Sequence, residues 1–280
     1  MNCLGYWKLA QNPFASSSNL YFVGGSVEEA IARTEFLVSS ERSLGILLGP
    51  SGSGKSSLMQ RFSSLTYASE NRKLLRCVPV SAAGRSHEEI VVTIANSLSQ
   101  TRFAKRTGID HSPESDAWTT VRDVLIAAKS GGCRVVLLLD EFADSHSNWE
   151  IVRRLVRIDL PVTMLVSIDI ERVYELPSDL ARLSQLRINL PAWELGQTAD
   201  YFDFALEGVR GKPGIFDAQA ITRIHELSDG LPGPIRRIAD LCLVAGSAQR
   251  IAKITSDIVE EVHEELAIHR QTDSKELLSR

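Results

Sequence analysis

The sequence predicts an α/β fold, a parallel sheet bearing a phosphate-binding loop, followed by a separate all-helical domain. Three observations carry this. Short apolar segments alternate with amphipathic ones as far as Leu190, the pattern of right-handed βαβ units with a sheet covered on both faces. A complete Gly-x-x-x-x-Gly-Lys-Ser sequence, Gly49 to Ser56, follows the first apolar segment. After Pro191 every segment has helical spacing and no strand candidate interrupts.

The elements follow in order. Residues 1–25 read as irregular and aromatic, with a Ser16-Ser17-Ser18-Asn19 turn. Ser26 with Glu29 reads as a capping box opening a helix to about Ser39. Gly45–Leu48 is a short strand, Gly49–Ser56 a glycine-rich loop, and Ser57–Leu65 a helix. Leu74–Ser81 is a strand. Ser86–Gln100 is a helix with Ile90, Val91, Ile94 and Leu98 on one face. Ser112-Pro113-Glu114 opens a helix that ends at Gly131-Gly132. Arg134–Leu139 is an apolar strand suited to the centre of a parallel sheet. A helix at Trp149–Ile158 and strands at Val162–Ser167 and Leu186–Leu190 complete the sheet domain. Glu194–Gly208, Asp217–Ser228, Pro234–Ala248 and Thr255–His269 are helical. The expected domains are therefore 1–191, including the aromatic segment 1–25, and a helical domain 192–270; the polar tail 271–280 is expected to be disordered.

Composition excludes some functions. At 44% hydrophobic and 24% charged, the 280 residues can build an ordinary core. A net charge of -4 gives no whole-chain case for a nucleic acid or an anionic membrane, which leaves only local basic patches. Two clusters are candidates for such a patch: Arg102, Lys105 and Arg106 in one loop, and Arg153, Arg154 and Arg157 on one helix. Ordinary solvated surface is the competing reading of both. No apolar run approaches the ~20 residues of a membrane span, and no signal peptide opens the chain. Cys3, Cys77, Cys133 and Cys242 are scattered without a Cys-x-x-Cys pair, as expected of reduced, buried thiols in a cytoplasmic protein.

The chemistry concentrates in two motifs. Gly49-Pro50-Ser51-Gly52-Ser53-Gly54-Lys55-Ser56 is a P-loop lying between a strand and a helix. Its glycines let backbone N–H groups surround a phosphate, and the helix that follows, through Ser57, adds the positive end of its dipole. Lys55 is expected to reach the β- and γ-phosphates and Ser56 to ligate Mg²⁺. Val135–Leu139 then runs into Asp140-Glu141. Asp140 is expected to hold Mg²⁺ and Glu141 to polarise the attacking water as general base. The adjacent pair favours hydrolysis over binding alone.

Other residues keep two readings. Ser167, after its strand, either orients the water or makes a local turn. Arg182 or Arg187 either presents a cation to a neighbouring subunit's ATP or is a surface residue. Arg236, following Gly230-Leu231-Pro232-Gly233-Pro234, either reaches the phosphates or is solvated in a first helical turn, where a cation is unfavourable. The aromatic N-terminus either covers the adenine or is a tacked-down core segment.

The series Tyr6-Trp7-Lys8-Leu9, Asn12-Pro13-Phe14, Asn19-Leu20-Tyr21-Phe22, P-loop, Leu-Leu-Leu-Asp-Glu and Gly230-Leu231-Pro232 resembles the ExeA/GspA-type AAA+ ATPases over nearly the whole chain. The resemblance implies an AAA+ core with strand order 5-1-4-3-2, a helical lid, ATP with Mg²⁺ at a subunit interface, and a homo-oligomeric ring or filament. It carries Lys55, Ser56, Asp140 and Glu141 over directly. Two positions depart from the family's pattern. Gly233 stands where the family's lid has arginine, and Leu186 stands where an arginine follows Gln185. The lid segment Gly230–Arg237 is also similar to the TniB/TnsC-type transposition ATPases, which act on DNA. No Asn-Lys-x-Asp guanine motif is present, which fits ATP.

The reading is an ATPase that regulates or assembles a protein partner. The alternatives are a DNA-associated transposition regulator, a secretion or pilus assembly ATPase anchored through another chain, and a non-hydrolysing nucleotide switch.

Overall fold

In the computed structural model of the protein the described residues are 2–15, 20–63, 74–100, 116–142 and 146–277. The elements run α1 (Cys3–Trp7), α2 (Ser26–Ser39), β1 (Leu44–Gly49), α3 (Lys55–Ser63), β2 (Leu74–Ser81), α4 (His87–Ser99), α5 (Ala117–Ser130), β3 (Cys133–Asp140), α6 (Asn148–Arg157), β4 (Val162–Asp169), a 3-10 turn (Ile170–Glu175), α7 (Ser178–Leu183), β5 (Leu186–Asn189), α8 (Leu195–Gly208), α9 (Ala218–Leu227), α10 (Pro232–Gln249) and α11 (Ser256–Leu277). They form two compact units: residues 26–191, and residues 1–25 together with 192–280.

The first unit is a five-stranded sheet in the order β2-β3-β4-β1-β5. Every pairing is parallel. This is the order 5-1-4-3-2 expected from the resemblance, read from the other edge. β1 is buried throughout, and β3 and β4 are buried up to their last residue. Strands covered on both faces need continuous apolar sequence, which Leu-Gly-Ile-Leu-Leu and Val-Val-Leu-Leu-Leu supply. Their polar ends therefore all lie at one edge.

The apolar strand β3 carries one charge inside. Arg134 is 9% exposed. Its guanidinium donates to Glu41 at 3.1 Å, to Thr163 Oγ1 at 3.1 Å and to the Val162 carbonyl at 3.3 Å. This cluster ties the starts of β3 and β4 to the turn after α2.

Two helix starts follow the capping rules closely. Ser86 and Glu89 form a reciprocal capping box on α4, and Asp116 caps α5 through the Thr119 N–H. The helix start expected at Ser112 lies outside the described residues. The box expected at Ser26 does not form. The helix already includes Ser26, so Glu29 is not three residues past its cap; Glu29 pairs with Arg33 at 2.7 Å, and the Ser26 hydroxyl is buried without a partner.

The second unit is built on aromatics from two distant stretches of chain. Phe14 is 1% exposed. Its ring lies 5.2 Å from Phe202, 5.7 Å from Phe216 and 6.0 Å from Tyr201. Trp7 Nε1 donates to the Leu243 carbonyl at 2.8 Å, and the Tyr6 hydroxyl to the Ile251 carbonyl at 2.7 Å. Residues 1–25, assigned by sequence to the sheet domain, thus pack with the helices. Their aromatic rings find aromatic partners there, whereas the sheet core is largely aliphatic. Of the two readings of this N-terminus, the geometry is that of a core segment.

Two further expectations change. α11 continues helical to Leu277, so most of the tail beyond residue 270 is structured; no Gly or Pro interrupts it. α10 starts at Pro232, two residues early, with proline at its first position. Arg236 and Arg237 therefore sit in the second turn, and the electrostatic misfit expected of first-turn cations does not arise.

Burial raises the Cys133 thiol and pushes Cys77 up to about 11 and Cys242 up to about 12, as befits inert packing residues. Among the described residues no helix is long and apolar enough to cross a membrane.

Candidate functional site

The parallel register collects the polar residues. Gly49 at the end of β1 pairs with Asp169 of β4, and Ser81 at the end of β2 pairs with Asp140 of β3. β3 and β4 are neighbours, so Ser81, Asp140, Ser167 and the start of the Gly49–Ser56 loop share the carboxyl edge. Ligands of open α/β sheets bind at that edge.

The loop turns on glycines with positive φ, 82° at Gly52 and 98° at Gly54. These values are open to glycine and strained for other residues. A Cβ at Gly54 would meet nothing within 4 Å, so the loop's mouth is open there. Pro50 is half-buried; Ser51, Ser56 and Ser57 are exposed. Ser53 is 2% exposed, and its hydroxyl is buried without a partner. α3 begins at Lys55, which aims its backbone N–H groups into the loop. Lys55 Nζ donates to the Gly49 and Pro50 carbonyls at 2.7 and 2.8 Å, folding the cation over the loop. Burial lowers its pKa; Asp169 and Asp140 act in the opposite direction by attraction.

Opposite the loop, Ser167 organises the two acids. Its hydroxyl donates to Asp140 Oδ1 in a short hydrogen bond and accepts the Glu141 N–H at 3.2 Å. Asp140 Oδ2 has no hydrogen bond among the described residues. Glu141 adopts φ 55°, a left-handed conformation unusual for a non-glycine residue. Its carboxylate is exposed and accepts from the Ser81 hydroxyl at 3.2 Å. Ser81 and Asp169 escaped sequence reasoning. The only available signal was a polar residue closing an apolar strand.

The arginines distribute differently. Arg182 is in the last turn of α7 and Arg187 on β5; both are exposed and neither side chain is paired among the described residues. Arg236 is half-buried on α10, close enough to Tyr201 to oppose the burial that pushes its phenol up to about 12. Arg153 is held by Asp179 at 2.7 Å and Glu150 at 3.5 Å, and Arg154 stacks 4.1 Å over Trp118. Among the described residues Arg157 has no such contact. Arg102, Lys105 and Arg106 lie outside the described residues.

Residues 38–172 match the sequence pattern of the AAA domain. The chain has the AAA+ fold. Solved AAA+ structures align along most of it. An ORC1 protein of Aeropyrum pernix in complex with DNA shares 15% identity, with TM-score 0.69, over 91% of this chain and 68% of that one. The ORC2 protein of the same organism, in ADPNP–ADP complexes, shares 14% at TM-score 0.62 over 91% and 72%. The RuvB Holliday junction branch migration motor of Thermotoga maritima shares 16% at TM-score 0.57 over 91% and 73%. No curated protein matches the sequence. The AAA+ assignment explains why the two acids and the glycine loop face one edge.

Proposed function

We propose that this AAA+ protein binds ATP with Mg²⁺ at the carboxyl edge of its sheet and hydrolyses it. The observation that carries the reading is the pair Asp140–Glu141, oriented by Ser167 beside a complete P-loop. The loop N–H groups and Lys55 would bind the phosphates, with Lys55 exchanging its two carbonyl partners for phosphate oxygens. The residues also fit a magnesium ion. Asp140 is oriented through Oδ1 and keeps Oδ2 for the cation or its water, and the exposed Ser56 hydroxyl is the second protein donor. Bound there, the ion would neutralise phosphate charge, as it does with few protein ligands in related chemistry. Glu141 orients and deprotonates the attacking water.

Arg182 and Arg187, exposed and unpaired among the described residues, support an oligomer in which one of them serves a neighbouring subunit's ATP. Arg236 remains the candidate lid arginine. The finer identity, an ExeA/GspA-type ATPase acting on a protein partner, rests on the Trp-Lys-Leu and Pro-Phe opening. A second reading, a DNA-associated ATPase of the TniB/TnsC kind, is favoured by the DNA-bound ORC1 and the RuvB motor among similar structures.

The test is ATP turnover of the wild type and Glu141→Gln, each with and without duplex DNA. Loss of the general base should cut turnover about 10²–10⁴-fold while leaving ATP binding intact. Stimulation by DNA would select the second reading. A wild type that binds ATP but never turns it over would replace hydrolysis with a nucleotide switch.

A further inference from the structure

The helical unit holds a concentration of charge that the nucleotide site does not use. Lys8 closes α1, Arg250 closes α10, and Arg210 follows the end of α8. All three sit in the left-handed conformation, at φ 58°, 57° and 56°. Glycine or asparagine is the usual occupant of such caps, because a Cβ is unfavourable there. Lys212 and Lys253 lie in the connections that follow Arg210 and Arg250.

Contacts between the turns bring these segments into one ring. Leu9, beside Lys8, lies 2.8 Å from where a Gly211 Cβ would be. The strip then passes through Lys212 to Ile215, whose carbonyl accepts the Ile254 N–H at 2.8 Å, next to Lys253. Ile251, beside Arg250, accepts the Tyr6 hydroxyl at 2.7 Å and returns the ring to Lys8. All five cations are exposed, and none has an ion pair among the described residues. The stretches 6–11, 209–214 and 250–254 contain no acidic residue. The flanking acids have other roles: Asp217 caps α9, and Glu261 accepts from Gln249. Glu207 precedes the turn on α8.

We propose that this ring is a docking face for the phosphodiester backbone of nucleic acid. A single cation at a helix end is accounted for by the helix dipole. Lys212 and Lys253 lie outside the helices and are not. The chemistry fits a polyanion with repeated phosphates, which several fixed cations hold through counterion release without reading bases. An anionic membrane fits less well, because no exposed large hydrophobic side chain belongs to these three stretches. The proposal does not use the nucleotide site, so it stands or falls separately from ATP hydrolysis.

The test is fluorescence anisotropy of a labelled 30-base-pair duplex DNA with the full chain, titrated across salt concentrations. The variant is Lys8→Asn, Arg210→Asn and Arg250→Asn together; asparagine tolerates the left-handed caps, so the turns are preserved. It should weaken binding at least about tenfold and lower the salt slope by between two and three, at about 0.9 for each lost phosphate contact. Should that variant fold poorly by circular dichroism, Lys212→Gln with Lys253→Gln, outside the caps, should lower the slope by about two. Arg42→Gln, an exposed cation of the other unit, should leave both quantities unchanged. The proposal is overturned by a wild type that does not bind the duplex, by variants that bind it as the wild type does, by an equal loss in Arg42→Gln, or by phosphatidylserine vesicles depending on these residues while DNA does not.

Discussion

The two units of the chain solve the problem of a core in opposite ways. The sheet unit buries aliphatic side chains on continuous strands and expels polarity to the strand ends, where Ser81, Asp140, Ser167 and Asp169 meet. The helical unit buries Trp7, Phe14, Trp193, Tyr201, Phe202 and Phe216, drawn from both ends of the sequence. A parallel sheet creates a polar edge as a by-product of its own packing, so a catalytic site can be placed there at small cost to the core. An aromatic helical core offers no such edge. Its polar positions are the turns between helices, where the cationic ring lies.

The comparison can be broken most strongly at Phe14. Phe14→Ala removes the ring that three others contact, and should destabilise the helical unit by about 3–5 kcal/mol. Hydrogen exchange should quicken in α8, α9 and α10 while amides of β3 and β4 keep their protection. Equal quickening in both units would show that segment 1–25 supports the sheet as well.

The matching prediction in the sheet unit concerns the buried charge of Arg134. Arg134→Ala removes the Arg134–Glu41 ion pair and unties the starts of β3 and β4. The Glu41 side chain is 28% exposed, so water takes up part of the loss. The expected cost is about 2–3 kcal/mol in urea unfolding, below that for a fully buried pair. Arg134→Met, which keeps the volume, should recover part of it.

Legibility in the sequence followed the same division. The loop Gly49–Ser56 and Asp140-Glu141 are local: their residues are adjacent, and an apolar strand announces each. Ser81 and Asp169 join the site only through parallel register, and a lone polar residue after a strand carries no mark of its neighbours. The aromatic segment 1–25 was visible as aromatic, but its partners lie in residues 193–251, far along the chain. α1, the 3-10 turn and α7 are too short for a periodic pattern to show. At Ser26 the local pattern was present, but the helix begins at Ser26 itself, one residue before the register a capping box needs.

Ser167 separates local from assembled chemistry at the site. Ser167→Ala removes the hydroxyl that fixes Asp140 and the Glu141 backbone but leaves both acids in place. Turnover should fall about 10–10²-fold, less than in Glu141→Gln, with nucleotide affinity nearly unchanged, as expected for two lost hydrogen bonds worth roughly 0.5–1.5 kcal/mol each. A loss as large as that of Glu141→Gln would make the strained Glu141 backbone, rather than its carboxylate alone, the decisive feature.

The smallest effect belongs to the exposed counterpart of the buried arginine. The hydrogen bond from Arg153 holds the Asp179 carboxyl down at about 2, against an ordinary 3.8. A carboxyl whose folded pKa is depressed stabilises the protein above its unfolded value, and that stability is lost as pH falls through the folded one. The difference in urea midpoint between wild type and Asp179→Asn should therefore be full at pH 6, shrink below about pH 4 and vanish near pH 2. Because the Asp179 side chain is 39% exposed, solvent screens the pair and the difference should be small even at pH 6. Arg153→Gln should trace the same curve. A difference that persists unchanged to pH 2 would instead assign the Asp179 effect to its place in the first turn of α7, where the hydrogen bond from the Leu180 N–H would be the part that matters.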